Sequence, residues 1–438
     1  MGVLYNVGWV LVLIGVMILV HELGHFWAAR YFHVKVDAFS FGFGPRLFGF
    51  RRGDTDYRIS AIPFGGYVKM AGEQPADDSA QDPRGFLAKP RWQRLIIALA
   101  GPFMNVVLSI LLLAGLFMVQ YQKVIEEGGA VIGHVESNSP AAKAGFADGD
   151  KIIQIDGEKS PSWEDIRTRE MISAGKMLDV SVERAGAIKN LRVMPVLDSV
   201  DQVGLAGWEE RSQILVRGLS PGKPGQLAGL QNGDLLLAIN GEPILSPFKL
   251  QETVRSTNGK PVVLDVKRGT ETRRFTVSPV FSDADKHYVI GIEMGRKVDV
   301  INTRLALLPA FRESIRQNAR SASLIYLSLK GIVERRLSAK ALQGPIGMAK
   351  LSGDAARLGA ATFIMLMAAV SVNLAIFNLL PIPILDGGVI VMLLIEMLMG
   401  RDLSSTVKEG VLKAGFVFLM AIVVFVLYND ISKILPQG

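Results

Sequence analysis

His21, Glu22 and His25 lie in the run HELGH, an H-E-x-x-H pattern. On a helix, residues four apart share a face, so imidazoles at 21 and 25 can hold one metal ion. The adjacent glutamate can reach a water on that ion, the arrangement of zinc-dependent hydrolysis with a carboxylate general base. A match this short arises by chance, but its setting argues against chance. Two histidines and a glutamate inside a membrane-spanning helix are costly unless they are partnered. A catalytic zinc takes three protein ligands and keeps one position for water, so a third ligand is needed. His33 falls beyond the end of the apolar stretch, and His134 and His287 belong to the polar middle of the chain. Asp386, in NLLPIPILDGG, is an ionisable residue at membrane depth beside prolines that break a helix. A carboxylate there is tolerable when it binds a dication. Glu396 is the competing carboxylate; it stands nearer the following polar loop and can snorkel, which favours Asp386.

These residues need apolar elements to carry them. The first candidate span covers residues 4–29, with the core GWVLVLIGVMILV. It does not read as a cleaved signal peptide: MGVLYN carries no positive charge, and HELGH stands where small cleavage-site residues belong. A second span covers residues 95–119. A third stretch, residues 359–399, is too long for one crossing and is expected to be a helix broken near Pro381. A fourth covers residues 411–428. Lysine and arginine crowd the segment between the first two spans, including Arg46, Arg51, Arg52, Arg58, Lys69, Arg84, Lys89, Arg91 and Arg94, while the N-terminal tail has none. That asymmetry places this loop in the cytoplasm and the long segment after the second span outside it.

The totals agree. Mean hydropathy is +0.31 over 438 residues, with the apolar blocks near both ends. The net charge of +7 accompanies no nucleic-acid-reading motif and follows from topology, so no nucleic-acid partner is expected. With no cysteine, disulfides, thiolate ligands and a cysteine nucleophile are excluded.

The polar middle is a duplication. AGFADGDKIIQIDG (144–157) matches AGLQNGDLLLAING (228–241), and VSVERAGAIKNLRVMPV (180–196) matches DVKRGTETRRFTVSPV (265–280). Each copy has a Gly-Asp turn, an alternating strand, an Asp-Gly or Asn-Gly turn, a helical pattern (163–174 and 247–256) and a closing hairpin. This resembles the circularly permuted PDZ domain of bacterial envelope proteases, a fold that implies peptide or protein ligands added at a sheet edge; the units are equally readable as steric bulk. Residues 308–337 alternate apolar and basic residues at helical spacing, as an amphipathic helix at the bilayer surface or a helix covering the core does. GFGPRLFGF (42–50) and YRISAIPFGGYVKMAG (57–72) alternate like strands with glycine kinks.

HELGH in the first span, with Asn-x-x-Pro-x-Pro-x-Leu-Asp-Gly in the third, resembles the site-two protease family of intramembrane metalloproteases. The resemblance covers essentially the whole chain, tandem insert included. It implies one zinc ion per chain on His21, His25 and Asp386, with Glu22 as catalytic base. It implies that Asn373 and Asn378 bind an unwound substrate backbone, and that the two strand segments form a hairpin dipping toward the site, where Gly65, Gly66 and Tyr67 receive substrate. Implied substrates are single-pass membrane proteins such as an anti-sigma factor, and remnant signal peptides, cut in the inner membrane after size screening by the PDZ pair. The expected fold is a polytopic α-helical membrane protein with four transmembrane helices, a membrane-associated β-hairpin region and two tandem PDZ-like α+β domains. The expected division is 1–122 (N-terminal catalytic half), 123–210 and 211–300 (PDZ-like domains), 301–357 (amphipathic connection) and 358–438 (C-terminal catalytic half). The competing reading is a non-enzymatic membrane scaffold that binds envelope proteins through its PDZ units.

Overall fold

The computed structural model describes residues 2–73, 82–124, 129–198, 203–283, 286–297, 300–334 and 344–434. The chain forms two compact units. One comprises Met1–Tyr121, Thr303–Tyr326 and Leu342–Gly438; the other comprises Gln122–Asn302 and Leu327–Ala341. Among the described residues, four helices are long and apolar enough to cross a membrane, and all four begin in the first unit.

Helix α1 (Gly2–Tyr31) contains HELGH in its second half. Its buried residues Val10, Leu13, Met17, His21 and Gly24 recur every three or four positions, so one stripe faces the protein. Strands β1 (Val36–Arg52) and β2 (Thr55–Met70) form an antiparallel pair that curls on itself. The first half of β1 lies between the two halves of β2, with Ala38 opposite both Asp56 and Lys69. The bend uses glycines at left-handed angles: Gly42 (φ +91°) and Gly65 (φ +116°) adopt backbone that a side chain disfavours. Helix α2 (Arg91–Val119) packs against α1 at Gly24, where a Cβ would collide with the Ala100 carbonyl.

In the second unit, every described element of the first repeat recurs 84 residues later, as Pro140 recurs at Pro224. One-turn helices α3 (Pro140–Lys143) and α5 (Pro224–Leu227) correspond, as do α4 (Trp163–Ile172) and α6 (Pro247–Ser256). Ser162 and Ser246 cap α4 and α6 by accepting from the amides of Asp165 and Lys249. The Gly-Asp turns share one device. Arg184 donates to Asp150 (2.6 Å) and to the Gly145 carbonyl, and Arg268 donates to Asp234 (2.7 Å) and to the Gly229 carbonyl. Both aspartates are buried, so the paired guanidinium is what makes the buried charge tolerable. Each repeat has its own apolar core, around Ile152, Ile166 and Val180 in one and Leu236, Leu250 and Leu264 in the other.

Helix α7 (Leu307–Val333) covers most of the amphipathic pattern; residues 335–337 of that stretch lie outside the described residues. Helix α8 (Pro345–Leu358), which the sequence pattern did not single out, packs on α1, with Gly353 against Asn6. The long third stretch is broken as expected. Helix α9 (Ala360–Asn378) ends before Pro381, and α10 (Asp386–Met399) starts anew. Asp386 opens α10 rather than lying within the break. The glycines after it are structural, because a Cβ at Gly388 would meet the Ile382–Pro383 backbone. The last span is α11 (Ser405–Ile434).

Candidate metal centre

Helix α1 brings His21 and His25 to one face, and the start of α10 brings Asp386 to meet them. The two Nε2 atoms are 3.2 Å apart. His21 Nε2 is 3.1 Å from Asp386 Oδ2, and His25 Nε2 is 3.4 Å from Asp386 Oδ1. Both histidines are buried and Asp386 is half-buried. As the first residue of α10, Asp386 also stands where free backbone N–H groups favour a negative charge.

These atoms fit a dication better than they fit one another. His25 donates through Nδ1 to the Ile97 carbonyl (2.8 Å), which leaves its Nε2 a bare lone pair. Asp386 Oδ2 is buried and has no hydrogen-bond partner of sound geometry among the described residues, although His21 Nε2 lies close by. Converging lone pairs repel unless a cation or a proton sits between them. Tetrahedral zinc with bonds of about 2.0–2.1 Å separates its ligand atoms by about 3.3–3.4 Å, close to the spacings found. Gly101 of α2 keeps the space open, because a Cβ there would lie 2.8 Å from His21 Nε2 and closer still to His25 Nε2.

Asn105, one turn along α2, is fully buried beside His21. Its Nδ2 lies 3.2 Å from His21 Nδ1, while its own Oδ1 has no partner. With the amide turned over, Oδ1 accepts from Nδ1–H, and the bare nitrogen of His21 becomes Nε2, on the side of Asp386. Neither Gly101 nor Asn105 was among the residues picked from sequence. The signal was available for Asn105: like Asn373 and Asn378, it is a polar residue in an apolar helix.

Glu22 lines the same cavity of about 950 Å³ as His21, His25 and Asp386, together with Tyr67 and Arg94. Gly66 backs onto α1 beside Glu22, and Asn378 Nδ2 comes within 3.4 Å of His21 Nε2. Among the described residues, Tyr67 lines this cavity, while Gly65, Gly66, Asn373 and Asn378 do not; Gly65 is packed under Phe43, and Asn373 is half-buried on α9. Glu396 also lines it but has partners of its own. It accepts from Lys408 Nζ (2.7 Å) and from the Leu403 amide (2.9 Å), near buried Arg94.

The family model described as Peptidase family M50 matches residues 9–422. A putative zinc metalloprotease of Xylella fastidiosa is 33% identical, over 98% of this chain and 99% of its own length. The regulator of sigma-E protease RseP of Salmonella typhimurium is 31% identical, over 99% of this chain and 100% of its own. A PDZ domain from Listeria monocytogenes matches 20% of this chain and 90% of its own, at 21% identity and a TM-score of 0.18, and carries no weight here. On the family match and the full-length relatives, this chain, with four described helices long and apolar enough to span a membrane, belongs to peptidase family M50, the site-two proteases, and is a membrane metalloprotease.

Proposed function

We propose that this protease binds one zinc ion through His21, His25 and Asp386 and cuts the membrane-spanning segments of single-pass proteins, with Glu22 as general base and acid. The observation that carries this reading is the convergence of His21 Nε2, His25 Nε2 and the Asp386 carboxylate, 3.1–3.4 Å apart, on the space that Gly101 leaves open. Zinc there supplies Lewis acidity, which polarises a carbonyl and lowers the pKa of a water. Glu22 takes the proton of the attacking water and delivers it to the leaving amine. A peptide bond within a helix is shielded by its own turn, so substrate must first be unwound. The half of β2 that carries Gly65, Gly66 and Tyr67 holds the opened strand by edge pairing beside Glu22, and Asn373 and Asn378 hold its other side.

In this reading residues 1–122 and 358–438 are the catalytic halves, 123–210 and 211–300 are PDZ domains, and 301–357 connects them. The hairpin dips into the membrane. The protein sits in the inner membrane with its site toward the cytoplasm and the PDZ pair outside, where the pair screens substrates by size. An anti-sigma factor and remnant signal peptides are the substrates that the family resemblance implies, and relatives named as regulators of sigma-E fit the first. The test is cleavage of a single-pass reporter by purified protein with and without a zinc chelator, alongside Glu22→Gln. The variant is expected to keep its zinc and lose about 100-fold or more in rate. Full activity in the variant, or indifference to the chelator, ends the mechanism.

A further inference from the structure

Glu170 is a buried acid in the second unit that the protease mechanism does not use. It lies on the last turn of α4 and is only 6% exposed. Its carboxylate accepts from the Ala206 amide (2.6 Å) and from Trp208 Nε1 (3.1 Å), the residues on either side of Gly207. Successive amides with a left-handed glycine (Gly207, φ +84°) form a backbone nest of the kind that binds anions. The nest begins the strand Trp208–Glu210, whose one edge pairs with Ile132–Val135. Its other side meets α4, with Gly204 pressed against the Glu170 backbone. A peptide adding to that edge and ending in a carboxylate would need this gap and these amides.

The second repeat shows the same frame without the acid. The Ala141 amide donates to Ala206 O (2.8 Å), and 84 residues on the Gly225 amide donates to Ile290 O (2.7 Å). At that offset Glu170 becomes Val254 and Trp208 becomes Ile292, neither of which offers a side-chain acceptor or donor. Two cations appear instead. Lys223 packs on Gly291 where the first repeat has Ser139, and Arg255 lies 3.2 Å from His287 where the first repeat has Met171. At matching positions, then, the first loop holds a carboxylate and the second has no side-chain acceptor.

We propose that Glu170 is a built-in ligand of the first repeat, occupying the carboxylate nest at Ala206 and Gly207 and closing that groove to peptide C-termini, so that only the second repeat receives them. This rests on the reading of the repeats as peptide-binding PDZ domains. The test uses the full chain in detergent, with a pool of photo-reactive hexapeptides bearing free C-terminal carboxylates and the same pool amidated. The free-acid pool should label the second repeat of the natural protein, and both repeats of Glu170→Val, which copies the second repeat's residue. The amidated pool should label neither. Backbone hydrogen exchange across residues 203–208 should rise about tenfold or more in Glu170→Val, as loss of charge-assisted bonds implies. Unchanged exchange in strand Leu178–Arg184 shows that the repeat remains folded; Glu170→Gln is the substitute if it does not. Labelling of the first repeat in the natural protein, or a Glu170→Val protein with unchanged exchange at 203–208, overturns the internal ligand and leaves peptide capture standing. Labelling of neither repeat in either protein overturns peptide capture itself, and the proposal with it.

Discussion

Replacing Gly101 by alanine adds one methyl group, and the structure places that methyl between the two imidazoles. An ideal Cβ lies 2.8 Å from His21 Nε2 and 2.6 Å from His25 Cε1, against 3.4 Å for ordinary contact. Something must therefore move by more than half an ångström. His25 cannot swing aside cheaply, because Nδ1 is tied to the Ile97 carbonyl in a buried setting. Helix α2 cannot retreat without breaking Ser109 Oγ to Ala368 O and Ser371 Oγ to Asn105 O, both 2.8 Å bonds that bind it to α9. The imidazoles must shift, and zinc ligands tolerate only about 0.2 Å. Losing even an outer-shell partner costs roughly 10–100-fold in affinity, so displacing a direct ligand should cost about 100-fold or more. Zinc per chain, measured by mass spectrometry after dialysis at buffered low free zinc, should fall to near zero, and reporter cleavage should vanish with it. Gly115→Ala on the same helix is the control. Nothing lies within 4 Å of that position, so zinc and cleavage should be unchanged. A Gly101→Ala protein that binds zinc as tightly as the natural one would refute the geometry, and with it the reason why residue 101 is glycine.

Asp386→Asn should lower zinc affinity about tenfold or more, while Glu396→Gln should leave it unaltered, since the histidines converge on Asp386 and the Glu396 Oε1 is held by Lys408 and the Leu403 amide; the reverse pattern in a chelator-competition titration moves the third ligand. Asn105→Leu should weaken zinc binding roughly 10–100-fold by freeing the orientation of His21, whereas Asn105→Asp, which keeps an acceptor, should retain most of it; equal behaviour of the two variants refutes the hydrogen-bond role. In the insert, His134 of the first repeat is paired with Asp148 and with Glu252 of the second (3.0 Å), while Lys249 stands near. The bond to Asp148 holds the imidazole above its ordinary 6.5, despite burial pulling it down. A raised folded-state value means that the stabilisation is full below about pH 6.5 and is lost as pH rises through the folded value. Exchange in Ile132–Val135 should accelerate between pH 6 and pH 8.5 beyond the intrinsic base catalysis, and Glu252→Gln should blunt that excess; a flat corrected profile in the natural protein rejects the link.

Much of this was legible in the chain because it rests on local periodicity or on cost. HELGH needs only the helical repeat to align its histidines, and a carboxylate at membrane depth stands out because water is absent there. The break at Pro381 follows from a missing amide and a fixed backbone angle. The duplication shows up in the Gly-Asp turns, and the structure extends it to matching bonds, Arg184 with Asp150 and Arg268 with Asp234. What escaped is tertiary. Gly101 reads as an ordinary packing glycine until the imidazoles are seen opposite it. The double pairing of β1 with both halves of β2 depends on glycines whose strand-like surroundings hide the turn. Glu170 sits in an unremarkable helical pattern, and only the fold returns Ala206 and Trp208 to it.

The distances also imply a link between metal and membrane assembly. The donor atoms come from α1 and from a helix that begins 355 residues after α1 ends, at Asp386 after Tyr31, and the wall between them is α2. Their spacing is set by how closely helices approach, at Gly24 against Ala100 and at Gly101 against the imidazoles. Anything that binds the assembled arrangement and not the separated helices stabilises the assembly by mass action. On the proposed ligand set, zinc would fasten α1 to α10 as well as supply chemistry. Conversely, a substrate that wedges α10 away from α1 would weaken metal binding. On the proposed function, a substrate strand would have to fit the resting gap without parting those helices, along the part of β2 that carries Gly66 and Tyr67 beside Glu22.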